Sequence, residues 1–172
     1  MTANAAAVTF KGNPLALAGK TPAVGERAPD FAAVANDLSE VKLSSLRGKV
    51  CVVLTVPSLD TPVCNLEARR FNAEAGKLGQ AVAVVVVSMD LPFAQARWCG
   101  AADAKNIQTW SDYRYASAGE ALGVLIKELR LLARAVFVLD REGKVAYEQV
   151  VGEMTHEPDY AAALAAVKKL TD

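Results

Sequence analysis

Two valine-rich runs, "VCVVLTV" at 50–56 and "VAVVVVS" at 82–88, show almost no alternation of apolar with polar positions. Near-continuous apolar runs of this length suit strands that are covered on both faces, as parallel strands are. Between them the spacing changes to a helical pattern from Pro62 to about Lys77. After the second run, "LPFAQARWC" predicts a short helix that closes at Cys99, just before Gly100. Strands and helices in this succession make β-α-β crossovers.

The flanking segments read differently. "VTFKGNPLALAG" alternates around Gly12-Asn13-Pro14 and predicts an N-terminal β-hairpin over about residues 8–18, followed by the Pro- and Gly-rich connection "TPAVGERAPD". Later come "IQTW", a helix around Ser117–Leu122, and the strands "RAVFVLD" and "KVAYEQVV". These last two are joined through Asp140-Arg141-Glu142-Gly143, a turn that makes them antiparallel and the sheet mixed. The Ala-rich "YAAALAAVKKL" forms a last amphipathic helix after Pro158. The expected class is α/β: a thioredoxin-like mixed central sheet flanked by helices, with the N-terminal hairpin added. No repeat or linker interrupts the pattern, so residues 1–172 are expected to form a single domain.

Composition narrows the function. The chain is 52% hydrophobic and 22% charged, ample for a sizeable core. Nineteen basic side chains balance nineteen acidic ones, and no basic run offers a footprint for nucleic acid or an anionic membrane. The start, "MTANAAAVTFKGNP", lacks the features of a secretory signal, and no apolar stretch reaches the ~18 residues of a membrane span, so a cytoplasmic protein is expected.

Three cysteines, Cys51, Cys64 and Cys99, are an odd number without a C-x-x-C pair. That fits neither a disulfide framework nor a structural zinc site. Cys51 lies inside a buried strand and reads as a small core hydrophobe. Cys64 stands elsewhere, in "TVPSLDTPVCN". Pro57 ends the strand, Thr61 and Pro62 form a helix start with Thr61 as N-cap, and Cys64 falls in the first turn. Free backbone N–H groups and the positive end of the helix dipole favour a thiolate there, and the Thr61 hydroxyl lies within plausible reach of it. A buried free cysteine is the ordinary alternative, but strand end, proline, cap and first turn together favour a nucleophile. Cys99, near a helix C-terminus where the dipole disfavours a thiolate, is a poor attacking group that could resolve an oxidised Cys64.

With Pro57-x-x-x-Thr61-x-x-Cys64 in view, the sequence resembles the peroxiredoxins, and among them the bacterial thiol peroxidase branch, the atypical two-cysteine type. "FKGNP", "PSLDTPVCNLEARRFN", "DLPFAQARWCG", "KELRLLARAVFVLD" and "EPDYAAAL" carry the resemblance in order along nearly the whole chain. It implies that Cys64 is the peroxidatic cysteine and Cys99 the resolving one. It also implies that Pro57 and Thr61 shape the pocket and that Arg134 is the cation supporting thiolate and peroxide. Arg134 stays charged at any working pH and opens a strand expected near the Cys64 helix. Thioredoxin as reductant, a homodimer, and hydrogen peroxide and organic hydroperoxides as substrates follow from the same resemblance; no cofactor or metal is expected. Arg70, more than one helical turn beyond Cys64, is expected outside the site, in structural ion pairs. His156 is expected in an exposed loop. Two other readings stand beside the enzyme: a thioredoxin-like binding module with structural thiols, and a Cys/His metal site, which the scattered positions 51, 64, 99 and 156 disfavour.

Overall fold

The computed structural model describes residues 7–172. Elements are numbered in chain order. The predicted hairpin is β1 (Ala7–Phe10) with β2 (Asn13–Ala18), antiparallel, with Phe10 facing Asn13. Its turn is Lys11-Gly12, one position earlier than the pattern suggested, because these two residues take the positive φ values, 50° and 82°, that a two-residue turn requires. Asn13 and Pro14 belong to the strand instead.

The central sheet has seven strands in the order β11-β10-β5-β6-β7-β3-β4. Its middle is β5 (Val50–Thr55), β6 (Val82–Ser88) and β7 (Gln108–Ser111), all parallel. The crossovers between them are α1 (Pro62–Leu78) and α2 (Pro92–Ala102). On the other side of β5 lie β10 (Ala135–Leu139) and β11 (Val145–Val150), both antiparallel to their neighbours, and α4 (Tyr160–Thr171) follows them. The mixed sheet therefore appears as expected.

Two short strands, β3 (Ala32–Val34) and the edge strand β4 (Glu40–Lys42), were not legible in the pattern. Nor were β8 (Leu125–Ile126) and β9 (Leu131–Leu132), which join β1 and β2 in a separate four-stranded sheet. The short α3 (Ser117–Ala121) precedes β8.

The valine runs show why both faces of the sheet are apolar. Val50, Val52, Leu54, Val84, Val86, Val136 and Val138 point into the layer that holds Cys64, Phe71, Trp98, Tyr160 and Val167. The alternate positions Cys51, Val53, Ala83, Val85, Val87 and Phe137 point into the opposite layer, with Leu17, Trp110, Leu125 and Leu132. Period-two alternation persists in register, but both faces are covered. Cys51 and Cys64 consequently sit on opposite faces of the sheet.

Candidate active site

The site lies at the C-terminal edge of the parallel strands. Thr55 ends β5, and Pro57, which has no N–H to continue the ladder, is buried just beyond it. Leu59 to Thr61 turn the chain into α1, whose first helical residue is Pro62. Cys64 lies in that first turn, fully buried at 0% exposure. The N–H groups of Val63 and Cys64 are among those a helix start leaves without an intrahelical acceptor. Thr61 occupies the N-cap position in extended conformation, but its side chain does not cap the helix. Its hydroxyl donates instead to the Ser58 carbonyl at 2.9 Å, which tightens the turn.

Arg134 meets Cys64 through the strand register. Ala135 pairs with Thr55, so the residue before it lies beside the point where the chain leaves β5 for the Cys64 turn. Thr55 secures this end by donating its hydroxyl to the Ala133 carbonyl at 2.8 Å. Arg134 is 1% exposed, and its Nη1 donates to Cys64 Sγ at 3.3 Å. The same nitrogen donates to Glu67 Oε2 at 2.6 Å, and Nη2 donates to the Met154 carbonyl at 2.9 Å. A guanidinium with a permanent charge is thus held in contact with the buried sulfur.

Glu67 is the residue the sequence reading missed. It follows Cys64 by three positions and shares the buried stripe of α1 with Cys64, Ala68 and Phe71. A carboxylate on an otherwise apolar stripe was the available signal. Burial pushes its carboxyl up to about 7, against the pull of Arg134.

The loop ahead of α1 is fixed from α2's side of the site. Asp90 Oδ1 accepts from the Ser58 hydroxyl at 2.6 Å, and Oδ2 accepts from Leu59 N at 2.8 Å and the Ser88 hydroxyl at 2.7 Å. Gln95, fully buried on α2, donates through Nε2 to Ser88 Oγ and to the Trp110 carbonyl, each at 2.9 Å. An exposed depression lined by Pro62, Val63, Leu66, Thr155, His156 and Glu157 lies over the first turn of α1.

Cys99 is partly exposed and packs against the same layer as Cys64. It does not close α2: the helix runs through Gly100 to Ala102 and ends at Asp103, which takes the left-handed conformation that glycine more often supplies at a helix end. The Trp98 indole donates to Asn65 Oδ1 at 2.8 Å, tying α2 to α1 one residue beyond Cys64. Cys51 lies far from these groups, its thiol pushed up to about 11 by burial despite nearby Lys49. Arg70 makes none of the structural ion pairs expected of it among the described residues; it stacks instead over the Tyr160 ring at 4.0 Å. His156 is exposed in the loop before α4. Among the described residues, no group of three or more His, Cys, Asp or Glu could hold a metal ion. Nor, among them, is any helix long and apolar enough to cross a membrane.

The Redoxin family model matches residues 23–164. The chain is 53% identical to a thiol peroxidase of Bacillus subtilis, covering 96% of this chain and 98% of that protein. It is 50% identical to one of Staphylococcus aureus, covering 95% and 98%. Among solved structures, a peroxiredoxin-like protein from Aquifex aeolicus superposes with a TM-score of 0.89 at 47% identity, covering 95% of this chain and 96% of the other. A thiol peroxidase from Chromobacterium violaceum shares the fold at 21% identity and a TM-score of 0.84. With a family model matched over most of the chain and relatives this similar from end to end, the chain belongs to the redoxin family, in its thiol peroxidase branch.

Proposed function

We propose that this chain is a thiol-dependent peroxidase in which Cys64 is the peroxidatic cysteine. The Cys64 thiolate attacks the terminal oxygen of a hydroperoxide, the O–O bond breaks, and the leaving alkoxide or hydroxide takes a proton to become alcohol or water. Sulfenic acid is left on Cys64. Cys99 then displaces its hydroxyl as water, giving a Cys64–Cys99 disulfide that thioredoxin reduces. Hydrogen peroxide and organic hydroperoxides are the substrates, a cytoplasmic homodimer is the working form, and the chain acts as one domain without cofactor or metal.

One observation carries the reading: a guanidinium with a fixed charge donates at 3.3 Å to a thiol buried in the first turn of a helix. Arg134 stabilises the thiolate and then the charge that spreads over the attacked oxygens, a stabilisation strongest where water is excluded. Pro57 and Thr61 shape the turn, Thr61 through its bond to Ser58. Names and identities of the relatives support the same chemistry.

Adding one equivalent of hydrogen peroxide to the fully reduced protein should remove two thiols per chain and produce the Cys64–Cys99 disulfide. Cys64→Ser should abolish turnover, Cys99→Ser should consume one peroxide and stall with thioredoxin, and Cys51→Ser should turn over as wild type. A binding module would lose no thiol, and retained turnover in Cys64→Ser would overturn the mechanism.

A further inference from the structure

Cys99 Sγ lies 3.4 Å from the hydroxyl of Thr109 on β7. That hydroxyl donates to Asn36 Oδ1 at 3.1 Å. A hydroxyl has a single proton, and an amide oxygen can only accept. With the Thr109 proton given to Asn36, the contact with Cys99 runs from the thiol proton to Thr109 Oγ1. A thiolate in that place would set one lone-pair atom against another. Asn36 is held for this role by its turn, where Ala35 N donates to the Ser39 carbonyl and Leu38 N to the Ala35 carbonyl, both at 2.9 Å.

We propose that Thr109 and Asn36 are positioning residues for Cys99, accepting its thiol hydrogen and holding its sulfur turned toward β7 until α2 loosens. This rests on Cys99 being the resolving thiol. The relay leaves Cys64, with Arg134 beside it, as the sulfur that an incoming peroxide meets. Once Cys64 carries sulfenic acid and the last turn of α2 opens, Cys99 leaves Thr109. Its sulfur forms the S–S bond, the S–O bond on Cys64 breaks, and the thiol proton departs with the hydroxyl as water. No oxidant beyond the peroxide is needed. A thiol is a weak donor, which suits a contact that must break in every turnover.

Two substitutions separate this from a packing role. Thr109→Val keeps the shape and removes the acceptor. Asn36→Ala, at an exposed turn, leaves the hydroxyl with a free proton that can turn to the sulfur and favour the thiolate. In reduced protein, iodoacetamide labelling of the Cys99 peptide, followed by mass spectrometry, should run about two- to tenfold faster in Asn36→Ala than in wild type or Thr109→Val. After one equivalent of hydrogen peroxide, acid-quenched disulfide should accumulate about two- to tenfold faster in Thr109→Val than in wild type, with unchanged peroxide consumption. Thr109→Ser should restore wild-type behaviour in both. Equal labelling in all variants, or faster labelling in Thr109→Val than in Asn36→Ala, would overturn the relay. If wild type forms no Cys64–Cys99 disulfide, the resolving assignment falls instead. If Thr109→Val does not fold, the Asn36→Ala labelling decides alone.

Discussion

Arg134 divides its charge between two buried partners, Cys64 Sγ and Glu67 Oε2. Burial raises the Glu67 carboxyl to about 7, so in the folded protein it takes up a proton between that pH and the ordinary carboxylate range. A raised acid contributes stability that is complete below its unfolded value and lost as pH rises through the folded one. Wild type should therefore lose about 1–3 kcal/mol relative to Glu67→Gln between pH 5 and pH 8, read from urea midpoints. Parallel curves would show that Glu67 does not titrate in this range. Cys64 could be singled out from proline, cap and turn because its signal is local. Arg134 could not, since its proximity depends on the pairing of Ala135 with Thr55; the resemblance supplied it. Glu67 was overlooked because a single glutamate on a helix ordinarily points to water, and only its place among Cys64, Ala68 and Phe71 says otherwise.

Helix α2 is fastened unevenly. Its first half is pinned through Gln95 to Ser88 and Trp110, whereas its last turn is held by the Trp98 bond to Asn65 and the weak contact of Cys99 with Thr109. A disulfide needs Cα atoms within about 7 Å, and here the two thiols ride on separate helices, α1 and α2. The last turn should yield on oxidation while the first half stays, and Trp98 should report it. Peroxide should change the tryptophan emission reversibly with a dithiol; Trp98→Phe should remove most of the change and Trp110→Phe little of it. Constant emission while the disulfide forms would refute the unwinding. Long elements of this kind were readable, α1 within a residue at its end, because periodicity accumulates over several turns. The strands β3, β4, β8 and β9 have only two or three residues each, too few to show a period, and exist because neighbours present partners.

The N-terminal hairpin is joined to the site through the loop before α4. Glu153 accepts from the Thr9 hydroxyl at 2.6 Å and from Lys11 N and Gly12 N at the hairpin tip, and these bonds hold its carboxyl well below the usual range. A depressed acid keeps its contribution above the ordinary carboxylate range and loses it only in stronger acid, so the clamp persists at neutral and mildly acidic pH. The next residue, Met154, donates its N–H to the Thr9 carbonyl at 2.8 Å and offers its own carbonyl to Arg134 at 2.9 Å. Glu153→Ala should lower the melting temperature and, through a displaced Arg134, slow peroxide reduction by about two- to tenfold. Unchanged kinetics beside a lowered melting temperature would confine Glu153 to stability. During synthesis this linkage has an order. Cys64 and its helix emerge long before Arg134 and Met154, and until Met154 settles on Thr9 the guanidinium lacks one of the acceptors that aim it. A nascent chain thus presents Cys64 before the guanidinium that meets it is in place.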